Sequence, residues 1–230
     1  MSELPFISAK DFLVPLPWDA MPAANTSNSL LWINGAFGAG KTHTAFELHR
    51  RLPNSFVSDP ELIGFGIHRM LPEVARDDFQ DRPQWRSAVV ATLADAVAAY
   101  DGPVIVPMTL VEPDYFDEIM DGLADAGVDV RHFALTASPE TLRKRLRLRL
   151  GYGVGKLLGH DETWAMQQID RCTTALSDKR FDIHIGTDDR TVHDVVEEIA
   201  DQAGLTLIRP RLSAGRYQLR RIRVGLAHIR

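Results

Sequence analysis

Eight consecutive residues, Gly35-Ala36-Phe37-Gly38-Ala39-Gly40-Lys41-Thr42, follow the spacing G-x-x-x-x-G-K-[ST]. Glycines let a main chain wrap closely around phosphate oxygens. Exposed amides and the positive end of the helix that should follow then favour the anion. Lys41 in this pattern reaches the β- and γ-phosphates of ATP, and the Thr42 hydroxyl ligates Mg²⁺. The spacing therefore predicts a triphosphate cradle. It does not say whether the bound nucleotide drives a motor, sets a switch or donates a phosphoryl group.

Residues after the other apolar runs bear on that choice. Asp59 stands in Ser58-Asp59-Pro60-Glu61, just past the second run. A carboxylate there can face the γ-phosphate and take a proton from an attacking hydroxyl. An Asp before a proline can equally cap a helix, and both readings stay open. Thr109 ends the third run, where it can touch substrate or close a turn. The segment 77–86 gathers Asp77, Asp78, Asp81, Trp85 and Arg86. Asp78 and Arg86 suit an acceptor pocket, with the indole for stacking. The alternative is a helix start capped by Asp81, with Trp85 in the core.

Arg145 and Arg149 share a helix face in the basic run 143–149. Four glycines follow between 151 and 159, and then Asp170-Arg171. Arginines flanking such a segment suit a lid near 143–171 that closes on the transferring phosphoryl group and excludes water. The alternatives are a solvated basic helix or a nucleic-acid patch. The arginines lack the aromatic interleaving of single-strand binding, so no nucleic-acid partner is expected.

These groups need a scaffold. Short apolar runs at 30–34, 55–58, 104–108, 130–135 and 182–185 alternate with helical patterns at 41–51, 85–100, 113–126, 139–150, 161–176 and 192–203. A further short strand is expected at 205–208. The alternation predicts an α/β P-loop NTPase fold, a nucleotide-kinase-like five-stranded parallel sheet with helices on both faces. In such a sheet the ligand lies beyond the carboxyl ends of the strands, where Gly35, Asp59 and Thr109 fall. The third run ends without an Asp to serve as the second nucleotide-binding carboxylate, which disfavours a motor ATPase. No Asn-Lys-x-Asp guanine signature is present, which disfavours a GTPase switch.

The chain has 230 residues, 45% hydrophobic and 25% charged, the composition of a globular protein. One cysteine, Cys172, excludes an intrachain disulfide, and eight histidines show no metal-ligand spacing. Residues 1–29 read as a proline-interrupted extension, 30–208 as the domain, and 209–230 as a basic amphipathic tail. Glu3 and the early prolines argue against a secretory signal. No apolar stretch nears the ~20 residues that span a bilayer. A cytoplasmic setting is expected. The net charge is −5, yet 209–230 carries seven arginines and no acid. Leu219, Ile222, Leu226 and Ile229 share one helical face in that tail. Such a helix suits peripheral contact with the anionic inner face of a membrane, or docking on its own domain.

The strings WINGAFGAGKT, TAFELHRRL, SDPELIGF, DDFQDRPQWR, VIVPMT and QIDRC closely resemble the bacterial tunicamycin-resistance proteins, from about Leu31 to the tail. The extension before residue 30 and a longer glycine-rich segment at 151–160 depart from that pattern. The resemblance implies a P-loop kinase fold, ATP binding and protection against tunicamycin, a lipid-linked uridine-sugar nucleoside. It extends to antibiotic phosphotransferases such as the chloramphenicol kinase, which implies Asp59 as base. It also implies a membrane-associated C-terminal helix. The expected activity is ATP-dependent phosphorylation of a hydroxyl on tunicamycin or a related nucleoside or sugar, with Lys41, Arg145 and Arg149 stabilising the phosphoryl group. Two alternatives are sequestration of the drug without turnover and phosphorylation of an ordinary metabolite.

Overall fold

A computed structural model describes residues 29–148, 164–181 and 183–227. The expected N-terminal extension, Arg149 and the glycine-rich segment 151–160 lie outside the described residues, apart from Ser29, which opens the first strand. Five strands, β1 (Ser29–Gly35), β2 (Phe56–Val57), β3 (Val104–Pro107), β4 (Asp129–Thr136) and β5 (Ile183–Gly186), pair in parallel in the order β2-β3-β1-β4-β5. The central strand β1 is buried along its whole length, Leu30, Leu31, Trp32 and Ile33 completely. A continuous apolar run is what a strand covered on both faces requires.

The helices are α1 (Lys41–Arg51), α2 (Glu61–Met70), α3 (Pro83–Ala99), α4 (Pro113–Asp125), α5 (Pro139–Arg147), α6 (Trp164–Gln167), α7 (Ile169–Ala175), α8 (Val192–Gln202) and α9 (Ala214–Ala227). Helices α1 and α8 pack on each other, and α3 packs on α2 and α4. Proline at the first position opens α3, α4 and α5, where its missing N–H is no loss. Thr191 and Asp194 form a capping box at α8.

Three expectations are corrected. Residues 205–208 form no strand. They run as a strap whose end ties to α1, with Ile208 N and Arg209 N both donating to the Arg51 carbonyl (2.9 and 3.2 Å). That carbonyl lies at a helix end and has no partner within the helix. The pattern at 161–176 resolves, where described, into α6 and α7 with a break at Gln168. The second strand is confined to Phe56 and Val57, with Ser58 N making the last bond to β3, on the Ile105 carbonyl (2.9 Å), before residues 59–60 turn into α2.

The tail helix α9 docks on α1. Arg220 Nη2 donates to the Phe46 carbonyl (3.3 Å), and the Tyr217 ring lies 4.6 Å from that of His193. Burial pushes the Tyr217 phenol up to about 12. Among the described side chains of α9, those at 217, 220 and 224 are half-buried, whereas Leu219 of the expected apolar stripe is 71% exposed. Among the described residues no helix is long and apolar enough to cross a membrane.

Helix α5 is anchored at its start. Ser138 caps it by accepting from Thr141 N (3.3 Å) and donates Oγ–H to Asp188 Oδ1 (2.6 Å). Hydrogen bonds from the Ser138 hydroxyl, from Thr141 and from the Ser138 amide hold the Asp188 carboxyl down at about 2. A folded-state value below the unfolded one stabilises above the unfolded value and is lost on acidification. The contribution is therefore complete above about pH 4 and vanishes as pH falls through about 2. Asp188→Asn should lower Tm at pH 7 by about 2–4 °C. In thermal scans across pH the gap to wild type should close toward pH 2.

Candidate phosphate-binding and transfer site

The glycine loop leaves the carboxyl end of β1 and enters α1. Gly40, at the helix N-cap, has φ +103°, a left-handed conformation that glycine adopts without penalty. A Cβ there would meet nothing within 4 Å, and no side chain caps the helix. Open space and uncapped amides at a positive helix end fit an anionic ligand. Gly35 is confined instead, since a Cβ would come within 2.9 Å of the Leu135 carbonyl oxygen. Thr42 follows in the first turn of α1, half-buried.

Lys41 is only 9% exposed. Its ammonium donates to the carbonyls of Gly35 (2.9 Å) and Ala36 (3.1 Å) and lies 5.4 Å from the Phe37 ring centroid. The Trp164 ring meets Phe37 edge-on at 5.0 Å. The lysine charge is thus folded against the loop that would present it to phosphate.

Asn34 builds the floor of the loop. Completely buried, it accepts from Gly35 N (2.8 Å) and Leu110 N (3.0 Å) through Oδ1. Through Nδ2 it donates to the Leu110 carbonyl (2.6 Å) and meets His132 Nε2 (3.2 Å). His132 Nδ1 faces the Phe181 carbonyl (3.1 Å), an acceptor, so the ring proton belongs on Nδ1 and Nε2 accepts from Asn34. Asn34 thereby ties β1 to the segment that follows β3 and to the middle of β4. Sequence reasoning passed over it, although one polar residue closing the run LLWIN just before Gly35 is a usable signal.

Asp59 lies at the end of β2, half-buried, and its Oδ1 accepts from Glu61 N (3.0 Å). The capping reading holds in this structure. A carboxylate has two oxygens and about four lone-pair sites, so the cap orients the group without exhausting it. Thr109 is buried, and its hydroxyl donates to the Gly35 carbonyl (3.0 Å). Asp78 Oδ1 accepts from Gln80 N (3.0 Å), which caps a short turn.

Trp85 is in the core, donating to the Pro60 carbonyl (3.1 Å). Arg86 is 7% exposed, pairs with Glu118 (2.5 Å), donates to the Gln80 carbonyl (2.6 Å) and stacks 4.2 Å from the Tyr115 ring centroid. These partners make it an internal brace of the 77–86 segment.

Helix α5 lies along the loop, and a Cβ on Gly38 would approach the Leu142 carbonyl oxygen to 3.2 Å. Arg145 donates to the Thr187 hydroxyl (3.0 Å) and carbonyl, which moors it at the exit of β5. Burial lowers its pKa, against the pull of Asp188. Arg143 pairs with Asp170 (2.9 Å), and Arg171 with Glu112 (3.4 Å). One ion pair thus joins the described ends of the expected lid to each other, and the other ties its far end to the start of α4. Thr187 and Asp188 carry no sequence motif and were not foreseen.

The sequence profile of a family described as an AAA domain matches residues 30–177. The solved tunicamycin resistance protein of Deinococcus radiodurans is 35% identical, with TM-score 0.67 over 79% of this chain and 99% of that one. The Mycobacterium tuberculosis APS kinase, solved with AMPPNP and APS, is 19% identical, with TM-score 0.53 over 76% and 97%. A gluconokinase from Sinorhizobium meliloti is 16% identical, with TM-score 0.54 over 77% and 92%. The last two share the fold. No curated protein matches the chain by sequence.

Removing the Asn34 amide would orphan the buried Gly35 N–H and both polar groups of Leu110. Asn34→Ala should destabilise the protein by about 2–4 kcal/mol in urea unfolding. Exposed substitutions such as Arg69→Ala should stay within about 0.5 kcal/mol.

Proposed function

The chain belongs to the AAA-domain family and to the tunicamycin-resistance proteins, and from that premise we propose that it transfers the γ-phosphoryl group of ATP to a hydroxyl of tunicamycin or a related nucleoside or sugar. The observation that carries the reading is the loop itself. Uncapped amides at the start of α1, the open space beside Gly40 and the Lys41 ammonium 2.9 Å from the Gly35 carbonyl suit a triphosphate. Residues 35–42 would hold the ATP phosphates, and the Thr42 hydroxyl would hold Mg²⁺. The metal, when bound, neutralises charge shared between the β- and γ-phosphates.

Lys41 turns from the loop carbonyls to the phosphate oxygens. Asp59, oriented by its bond to Glu61 N, accepts the proton of the acceptor hydroxyl. The acceptor oxygen forms its bond to the γ-phosphorus, the bridging bond breaks, and ADP leaves with that electron pair. Arg145 would steady the charge in transit, a role the sequence also offers to Arg149. Asp78 would serve the acceptor. A phosphate added to the drug would obstruct binding at a site shaped for the unmodified hydroxyl. The fate of Asp59 as a helix cap favours one second reading, in which the protein sequesters the drug without turnover.

The tail extends the proposal. Leu219 is 71% exposed, and the exposed arginines 216 and 223, three before and four after it, share its face of α9. This combination suits peripheral contact with an anionic membrane surface.

Tunicamycin-dependent release of ADP tests the transfer. Asp59→Ala should lower that rate at least about 100-fold while ATP affinity stays within about twofold of wild type. An unchanged rate would remove Asp59 as base. Drug binding with no ADP release in the wild type would favour sequestration.

A further inference from the structure

We propose that Thr109 is a positioning residue for Lys41, keeping the Gly35 carbonyl hydrogen-bonded when the ammonium moves to phosphate, and that Gln80 holds Thr109 in place. The inference rests on ATP binding at residues 35–42, as set out above. The two carbonyls that hold Lys41 are each served twice. The Ala36 carbonyl accepts from Lys41 Nζ (3.1 Å) and from Ala39 N (3.1 Å). The Gly35 carbonyl accepts from Lys41 Nζ (2.9 Å) and from Thr109 Oγ1 (3.0 Å). When the lysine leaves, neither carbonyl is orphaned. A buried carbonyl left without a donor would pull the ammonium back.

The second donor to Gly35 is itself fixed. Thr109 is 3% exposed, and a β-branched side chain has few rotamers. Its carbonyl accepts from Gln80 Nε2 (3.0 Å). The Gln80 carbonyl accepts from Arg86 Nη1 (2.6 Å), and Arg86 is clamped between Glu118 and the Tyr115 ring. A continuous set of hydrogen bonds thus runs from the brace between α3 and α4, through Gln80 and Thr109, to the first carbonyl of the phosphate loop. The segment 77–86 thereby sets how readily the lysine is released to the nucleotide.

Calorimetric titration of Mg²⁺ with ATP, and with AMPPNP, tests this without any need for turnover. Thr109→Val should weaken nucleotide binding about tenfold, or about 1.4 kcal/mol. Thr109→Ser, which keeps the hydroxyl, should stay within about twofold of wild type. Gln80→Leu, at a half-buried position that tolerates the change, should weaken binding about threefold. In a Lys41→Ala background Thr109→Val should add nothing, because the residue acts through the lysine. A folded Thr109→Val or Gln80→Leu protein with wild-type affinity and only a lower Tm would overturn the inference, as would a full tenfold loss in the Lys41→Ala background. Wild-type protein that binds no ATP would overturn it too. Tight ATP binding without phosphorylation of the drug would contradict the proposed transfer and leave this inference standing.

Discussion

The carboxyl end of β1 is where the structure is most tightly determined. A buried backbone amide or carbonyl must find a partner or cost about 1–3 kcal/mol, and residues 34 and 35 expose several such groups at once. Asn34 satisfies the Gly35 amide and both polar groups of Leu110, while Lys41 and Thr109 satisfy the Gly35 carbonyl. The order β2-β3-β1-β4-β5 makes this possible by setting the exits of β3 and β4 on either side of β1. The phosphate loop begins on a rigid floor, and only beyond it does the chain open into space that an anion can fill.

Charge is arranged around that floor in two ways. Cations near the loop are held by neutral carbonyls: Lys41 by Gly35 and Ala36, Arg145 by Thr187. A guanidinium or ammonium on a carbonyl has no net charge to leave behind when a phosphate draws it away. Cations on the outside are instead paired with carboxylates, as Arg143 is with Asp170 and Arg211 with Glu197 and Asp194. Those pairs are exposed and individually weak. They fix orientation more than they stabilise.

The parts legible in the sequence are the ones that local pattern determines. The loop spacing, the apolar runs of β1 and β3, and Pro at the start of α4 and α5 depend on near neighbours, and the structure carries them all, whereas α3 begins at Pro83, two residues before the expected start. The partners of Thr109 and Arg86 were not legible, because residue 109 meets residue 35 across 74 positions and residue 86 meets residue 118 across 32. Such contacts follow from strand order and helix packing, which no single motif encodes. The tail shows the same limit. Its apolar stripe was evident, but the meeting of Tyr217 with His193 and of Arg220 with the Phe46 carbonyl was not. At 205–208 an apolar run suggested a sixth strand, but the need of the Arg51 carbonyl for donors made it a strap.

The central claim is that a phosphoryl group ends on the drug. Mass spectrometry of tunicamycin after incubation with this protein, ATP and Mg²⁺ measures that directly. The account predicts a gain of one phosphoryl group, absent when Lys41→Ala replaces the wild type. A drug recovered with unchanged mass from wild-type protein that binds both it and ATP would contradict the account.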